Sequence, residues 1–113
     1  NGEVDINKLS EEKPFYGVPF SVKITFGIKG KPQNAGYEIL RNNIAKDNST
    51  AVQSMINGGA IPLCLTNCSE MSLWWECFNK TYGRTSNPHD LNRSAGGSSG
   101  GEGSLIAACG SPM

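Results

Sequence analysis

Short runs of apolar residues recur along the chain and predict alternating helices and strands. The residues from Val4 to Leu9 have near-helical spacing and predict the end of a helix, and a polar turn at Ser10 to Pro14 follows them. Phe20 to Phe26 is rich in β-branched and aromatic residues and predicts a strand. The polar, glycine-containing segment from Gly27 to Glu38 predicts a loop.

A helix followed directly by a strand is predicted in the middle of the chain. The segment DNSTAVQSMINGGA offers Asn48 or Ser49 as a helix cap, an apolar stripe at helical spacing and a Gly-Gly pair as its end. The next segment, AIPLCLTN, predicts a short buried strand. A helix, a double-glycine stop and a buried strand are together typical of an α/β layer structure.

The last third of the chain predicts less regular structure until its final helix. The segment from Ser69 to Asn79 predicts a short helix, and GRTSNPHDLNRSAGG predicts a turn-rich loop. A preceding serine can cap a final helix from Gly100 to Cys109, in which Glu102 lies near the positively polarised end.

Composition and charge limit the classes of function open to a chain of 113 residues, which is one domain at most. Lys plus Arg and Asp plus Glu number ten each, so the net charge is zero and no nucleic-acid partner is expected. The apolar runs are far shorter than the ~20 residues of a membrane span. The chain begins NGEVDIN and ends GSPM, and from these ends we expect a piece of a longer protein.

The four cysteines of the chain are Cys64, Cys68, Cys77 and Cys109. The CxxxC spacing of the first two has no second pair, and His89 is the only histidine, so a structural zinc site is disfavoured. A disulfide framework is typical of smaller, loop-rich secreted chains. We therefore expect free thiols, with no metal and no other cofactor.

The glycine-rich segment GGSSGGEG, residues 96–103, has three interpretations. A flexible linker fits the composition, but a linker does not normally lead straight into an apolar segment such as LIAAC. A phosphate-binding loop would need the lysine of a Walker motif or a preceding strand, and the sequence offers neither. The third interpretation is catalytic, because serines among glycines can place their hydroxyls at the start of a helix.

A catalytic serine needs a base, and two residues are candidates. His89 lies in the turn NPHD, where a solvated histidine is the ordinary case. Lys23 lies in the apolar stretch PFSVK, where burial would favour the neutral amine that a base requires. The alternative for Lys23 is a surface lysine on an edge strand.

Four motifs occur along the chain in the order GVPFSVK, TNCSE, GRTSNPHD and GGSSGGEGSLIAACGSP. In this order and spacing they resemble the amidase signature family, and most of all its fatty-acid amide hydrolases of the animal type-two branch. The resemblance extends from Gly17 to the end of the chain. It implies an α/β/α fold around a mixed central sheet, in which residues 1–113 form the N-terminal portion of the amidase domain.

The resemblance also implies a Ser–cisSer–Lys triad. The family lysine falls on Lys23, and the bridging serine, held by a cis peptide bond, falls on Ser98. The nucleophilic serine belongs to a motif that would follow Met113, so the chain by itself is expected to be inactive. The expected supporting residues are Gly97, Ser99, Thr66 and Asn67. For the last two, a purely turn-capping role is the alternative.

The implied activity is the hydrolysis of small-molecule carboxylic amides through an acyl-enzyme, without a cofactor. The type-two resemblance further implies fatty-acid amides as substrates and membrane association of the parent protein. Two alternatives stay open at this point: an amidotransferase-type amidase subunit, and a non-catalytic module with the same fold.

Overall fold

Two parallel strands form the centre of the fold, which the computed structural model describes for residues 6–113. Strand β1 (Pro19–Lys23) pairs with strand β2 (Ile61–Thr66). The chain between them crosses over through a long loop and helix α2 (Thr50–Asn57), which is the connection that parallel strands require. The predicted α/β class is confirmed.

The core lies between β1 and α2. Its fully buried members are Phe20, Val22, Val52 and Ala60, and the partly buried Met55, Ile56 and Leu65 pack against them. Alternate residues of β1 are buried, as expected of a strand with one covered face. Full burial of one large apolar side chain contributes about 1.5–3 kcal/mol, so this cluster fixes α2 on β1.

Helix α2 confirms the predicted second helix but not its predicted cap. Ser49 stands at the N-cap with extended backbone dihedrals, yet its side chain makes no capping hydrogen bond. Asn48 instead accepts a hydrogen bond from the backbone N–H of Lys29 (2.7 Å) and donates one to Gln53 (2.8 Å). The predicted glycine pair ends the helix.

Helix α1 (Ile6–Glu12) extends past the predicted helix end at Leu9. The residues Ser10 to Glu12, predicted to begin a polar turn, are helical. The N–H of Lys13 still donates to the carbonyl of Leu9 (2.8 Å), which is the helical i to i−4 pattern. The first residues of the predicted helix lie outside the part of the chain that the structure describes.

Both central strands differ from their predictions. Strand β1 ends at Lys23 rather than at Phe26, because the N–H of Phe26 donates to the carbonyl of Lys23 (2.9 Å) and the chain turns there. The prediction of a buried β2 is wrong, since Ile61 and Leu63 are 55% and 53% exposed. These two residues share one face of β2, and the described elements cover the other face.

The segment between β2 and the last helix folds into short antiparallel pairs. Strand β3 (Phe78–Asn79) pairs with β4 (Gly83–Arg84), and β5 (Ser86–Asn87) pairs with β6 (Asp90–Ser94). The segment GRTSNPHDLNRSAGG, predicted to be a turn-rich loop, therefore contains short paired strands between its turns.

The predicted helix at Ser69 to Asn79 is also wrong. Only a 3₁₀ turn at Glu70–Ser72 forms within that segment. Met71 and Ser72 have φ angles of 51° and 60°, which an α-helix excludes. The end of the segment instead joins the strand pairs, because the N–H of Thr85 donates to the carbonyl of Cys77 (2.8 Å).

Helix α3 (Gly100–Ala107) confirms the predicted final helix, although it stops before Cys109. Cys109 has a φ angle of 57°, which ends the helical path. The predicted loop that begins at Gly27 is also confirmed, and a single 3₁₀ turn at Glu38–Leu40 follows it.

The chain is extended for its length. Its Cα radius of gyration is 16.1 Å, against about 13 Å for a compact domain of this size. Large apolar side chains are exposed, among them Leu73, Trp74 and Trp75. Both properties fit a part of a larger fold. Within residues 6–113, no helix has the length and apolar character needed to cross a membrane.

Candidate active site

Lys23 and the paired serines meet in the structure. Lys23 is the last residue of β1, and its Nζ lies 3.0 Å from Ser98 Oγ and 3.1 Å from Ser99 Oγ. Lys23 and Ser98 are half-buried, whereas Ser99 is exposed. The contact joins residues 75 positions apart along the chain. An amine within hydrogen-bonding distance of two hydroxyls is an arrangement that can relay a proton.

The glycines after the serines bring α3 against the end of β2. The N–H of Gly101 donates to Asn67 O (3.2 Å), and a Cβ on Gly101 would overlap the backbone N and O of Asn67. A Cβ on Gly100 would likewise overlap Cys77 Cβ. Both glycines are buried, so the linker interpretation is wrong. Gly97, in the same loop, is exposed.

Every peptide bond in residues 6–113 is trans, including those on either side of Ser98. The cis bond that the resemblance implies at Ser98 is therefore wrong for this structure. Gly96, with a φ angle of 79°, makes the turn into the loop. The loop then brings both hydroxyls to Lys23 with trans bonds, which are the lower-energy form of a non-proline peptide.

Glu102 binds both central strands, although the sequence alone gives it no place in the site. It lies in the first turn of α3 and accepts hydrogen bonds from Ser21 Oγ on β1 and from Thr66 Oγ1 (2.6 Å) on β2. The sequence shows only a carboxylate near a helix start, which the helix dipole accounts for by itself. Its partners lie 81 and 36 positions away, so no local signal identifies them.

Thr66 and Asn67, two of the predicted supporting residues, lie at the end of β2 and form hydrogen bonds next to the serine loop. Thr66 is buried, and its hydroxyl donates to Glu102. The Asn67 amide donates to Thr85 Oγ1 (3.0 Å), and its oxygen accepts from Asn79 Nδ2 (2.6 Å). Asn79 is 1% exposed and is a further member of this network that sequence reasoning misses.

The carbonyl of Met113 lies beside β1. The backbone N–H of Ser21 donates to Met113 O (2.8 Å), and Ser21 Oγ lies 3.3 Å from the same oxygen. Ser111 Oγ also donates to it (2.6 Å). Because Ser21 is two residues before Lys23, the Met113 carbonyl is fixed close to the lysine along the same strand.

A cavity of about 320 Å³ opens next to the lysine and the glycine loop. Its apolar wall consists of Phe20, Val22, Phe26, Ala51, Val52 and Met55. The polar side chains of Ser21, Lys23, Ser99 and Glu102 line the rest. An apolar cavity with a few polar groups at one side is typical of small-molecule sites.

His89, the other candidate base, lies apart from the hydrogen bonds of the site. It is exposed in the turn between β5 and β6, and its backbone N–H donates to Asn87 Oδ1 (2.9 Å). Lys23 is therefore the candidate base that the structure brings to the serines.

All four cysteines are free thiols, and two of them lie close to the charged groups of the site. Burial raises the pKa of the Cys68 thiol. Burial, and next the negative charge of Glu102, raise the pKa of Cys64. Both thiols are therefore less ionised at neutral pH than an ordinary cysteine thiol.

The fold and the site define part of an α/β domain in which a strand lysine contacts a serine pair on a glycine loop. The sequence model of the family described as Amidase matches residues 3–113. The chain belongs to the amidase family, as its motifs predict.

Known proteins similar to this chain are several times longer. The chain is 50% identical over 102 residues to fatty-acid amide hydrolase 2 of Homo sapiens, a match covering 89% of this chain and 19% of that protein. It is 34% identical over 108 residues to a glutamyl-tRNA(Gln) amidotransferase subunit of Methanosarcina mazei, covering 96% of this chain and 23% of that protein. The solved structure of 6-aminohexanoate cyclic dimer hydrolase complexed with substrate matches with a TM-score of 0.85 and 34% identity, over 94% of this chain and 23% of that one.

The approach of α3 to β2 predicts that Gly101→Ala destabilises the folded protein. The new Cβ would meet backbone atoms of Asn67, and overpacking of this kind costs about 1–3 kcal/mol. Gly103→Ala is the matched control in the same helix, because nothing lies within 4 Å of its Cβ. Thermal unfolding of the full gene product should occur at a lower temperature for the first variant and not for the second. Equal unfolding midpoints would contradict the described approach.

Proposed function

We propose that the protein containing this chain hydrolyses carboxylic amides, with Lys23 and Ser98 as members of a Ser–Ser–Lys triad. The observation that carries the proposal is the 3.0 Å contact between Lys23 Nζ and Ser98 Oγ. The contact occurs in a chain of the amidase family, among whose members are proteins named as amide hydrolases. Residues 1–113 would be the N-terminal portion of the amidase domain.

The proposed base is the neutral amine of Lys23. A neutral amine has one lone pair and two N–H bonds, so it can accept the proton of Ser98 while it donates a hydrogen bond to Ser99. The distance of 3.1 Å between Lys23 Nζ and Ser99 Oγ supports this second contact. Ser99 would then orient the amine without taking part in proton transfer.

In the proposed reaction, Lys23 takes the proton of Ser98, and Ser98 takes the proton of a nucleophilic serine. The oxygen of the nucleophile forms a bond to the amide carbonyl carbon. The C–N bond then breaks, and the proton returns through Ser98 to the departing amine. Water attacks the resulting acyl-enzyme through the same relay and releases the carboxylic acid and the free serine.

We place the nucleophilic serine in the sequence that follows Met113. The hydrogen bond between Ser21 N–H and Met113 O (2.8 Å) supports this placement, because residues after Met113 would begin beside β1 and close to Lys23. On this proposal, residues 1–113 alone have no amidase activity.

Fatty-acid amides are the proposed substrates. An acyl chain is chemically suited to the apolar wall of the cavity beside Lys23. The identity to fatty-acid amide hydrolase 2 (50%) also exceeds that to the amidotransferase protein (34%). Since such substrates partition into lipid, the proposal includes membrane association of the whole protein.

Lys23→Ala should abolish most amide hydrolysis by the full gene product without unfolding it. Removal of a general base lowers turnover by about 10²–10⁴-fold. Lys29→Ala, at an exposed loop lysine, is the matched control and should keep its activity. Turnover of a long-chain amide and the circular dichroism spectrum measure the two effects. Near wild-type turnover in Lys23→Ala would rule out its role as the base.

Ser98→Ala and Ser99→Ala should differ in their effect on acylation. Ser98 carries the proposed proton relay, so its loss should lower the acylation rate by about 10²–10³-fold. Ser99 only orients the amine, so its loss should lower the rate by less than about tenfold. Single-turnover kinetics with an ester and an amide of the same acid measure acylation. A larger effect at Ser99 would show that the two roles are reversed.

Substrate chain length separates the proposed function from its alternatives. If the acyl chain is buried, kcat/KM for primary amides should rise about fourfold per added CH₂, which corresponds to about 0.8 kcal/mol. Independence of chain length together with hydrolysis of glutamine would favour the amidotransferase-type amidase. Absence of turnover for every amide would favour the non-catalytic module.

A further inference from the structure

We infer that Glu102 is a positioning residue, which holds the paired serines against Lys23 by tying the first turn of α3 to both central strands. The inference rests on the proposed function, because it concerns how the proposed triad is kept in place. Glu102 acts in it through the serines and not on the substrate.

The Glu102 carboxylate has a hydroxyl donor on each central strand. Ser21 Oγ on β1 donates to Oε2, and Thr66 Oγ1 on β2 donates to Oε1 over 2.6 Å. Hydrogen bonds to an ionised carboxylate are stronger than those between neutral groups. Thr66 is 6% exposed, so loss of the carboxylate would leave a buried hydroxyl without its acceptor. The carboxylate is thus a two-point attachment between helix and sheet.

This attachment lies on the face of the sheet that carries the lysine. Ser21 and Lys23 share a face of β1 because they are two residues apart. Thr66 is the partner of Lys23 in the register of the two strands. Glu102 follows Ser99 by three residues, so the two lie on the same side of the first helical turn. A movement of α3 that breaks the bonds of Glu102 therefore also moves the serine hydroxyls away from Lys23 Nζ.

Other contacts of this helical turn are weaker. The bond from Gly101 N–H to Asn67 O is 3.2 Å long and joins neutral groups. Gly100, Gly101 and Gly103 have no side chains to pack against the strands. A displacement of about 1 Å in a catalytic group is enough to lower a rate about 10²-fold. The carboxylate is therefore the strongest polar contact between this turn and the two central strands.

Two substitutions of Glu102 in the full gene product test the inference. Glu102→Ala removes both attachments and should lower kcat by about 10²-fold, with KM changed by less than about threefold. In Glu102→Gln, the amide oxygen can accept the hydrogen bond of Thr66 and the amide nitrogen can donate one to Ser21 Oγ. The Ser21 hydroxyl can then donate its own hydrogen to Met113 O, which lies 3.3 Å away. Glu102→Gln should therefore recover to within about tenfold of the wild-type kcat. Glu11→Ala, at an exposed carboxylate of α1, is the control.

Active sites are counted in each variant with a fluorophosphonate probe, which forms a covalent bond to a serine nucleophile. A residue that only stabilises the fold would reduce the number of titrated sites and leave kcat per site unchanged. Unchanged kcat per site in Glu102→Ala would therefore overturn the inference. If Glu102→Ala fails to fold, the variant Thr66→Val tests the inference instead. A kcat per site about tenfold lower than that of the wild type would support the inference, and an unchanged kcat per site would overturn it.

Lys23→Ala in the same assays separates this inference from the proposed function. If Lys23→Ala is inactive while Glu102→Ala has wild-type kcat per site, the positioning role fails and the proposed triad stands. If Lys23→Ala retains wild-type turnover, the proposed function itself fails, and the positioning role fails with it.

Discussion

The close approach of helix α3 to the ends of β1 and β2 is the constraint on which the site depends. It is possible only because Gly100 and Gly101 lack side chains, since a Cβ at either position would overlap its neighbours. The same approach brings Ser98 to a lysine 75 positions earlier in the chain. Because interiors are close-packed, a larger residue at either glycine would have to displace Cys77 or the backbone of Asn67.

Local patterns in the sequence predict the parts of the fold whose contacts are local. Helix α2 follows from its apolar stripe and its glycine stop, and α3 from the glycine loop that leads into an apolar segment. The contact between Lys23 and Ser98 agrees with the order of the motifs, although their local patterns alone also allow a surface lysine and a linker. The alternation of buried and half-buried residues in β1 determines which face of the strand Lys23 occupies. A shift of one residue would place Lys23 on the opposite face, so this alternation is the local pattern that specifies the site best.

The remaining features depend on partners distant in sequence, and no local pattern encodes them. Short strand pairs form within residues 78–94, where a helix end and a loop were predicted. The buried amide of Asn79, in β3, donates to Asn67 twelve positions earlier. The exposed face of β2 carries apolar residues, and from their apolar character the sequence predicts a buried strand. From the sequence, Glu102 cannot be distinguished from an ordinary carboxylate at the start of a helix. Its two hydroxyl partners belong to other elements, the strands β1 and β2.

Lys23 in β1 and Glu102 in α3 lie on the same side of the central sheet, yet they form no ion pair with each other. The ion pairs found within residues 6–113 lie on the surface. Lys23 is bonded to Ser98 and Ser99, and Glu102 to hydroxyls of both strands. Hydroxyls can donate to a carboxylate and exchange protons with an amine. Because the two groups contact different hydroxyls, Glu102 can fix the helix to both strands while Lys23 Nζ keeps its contacts with the serines of the proposed relay.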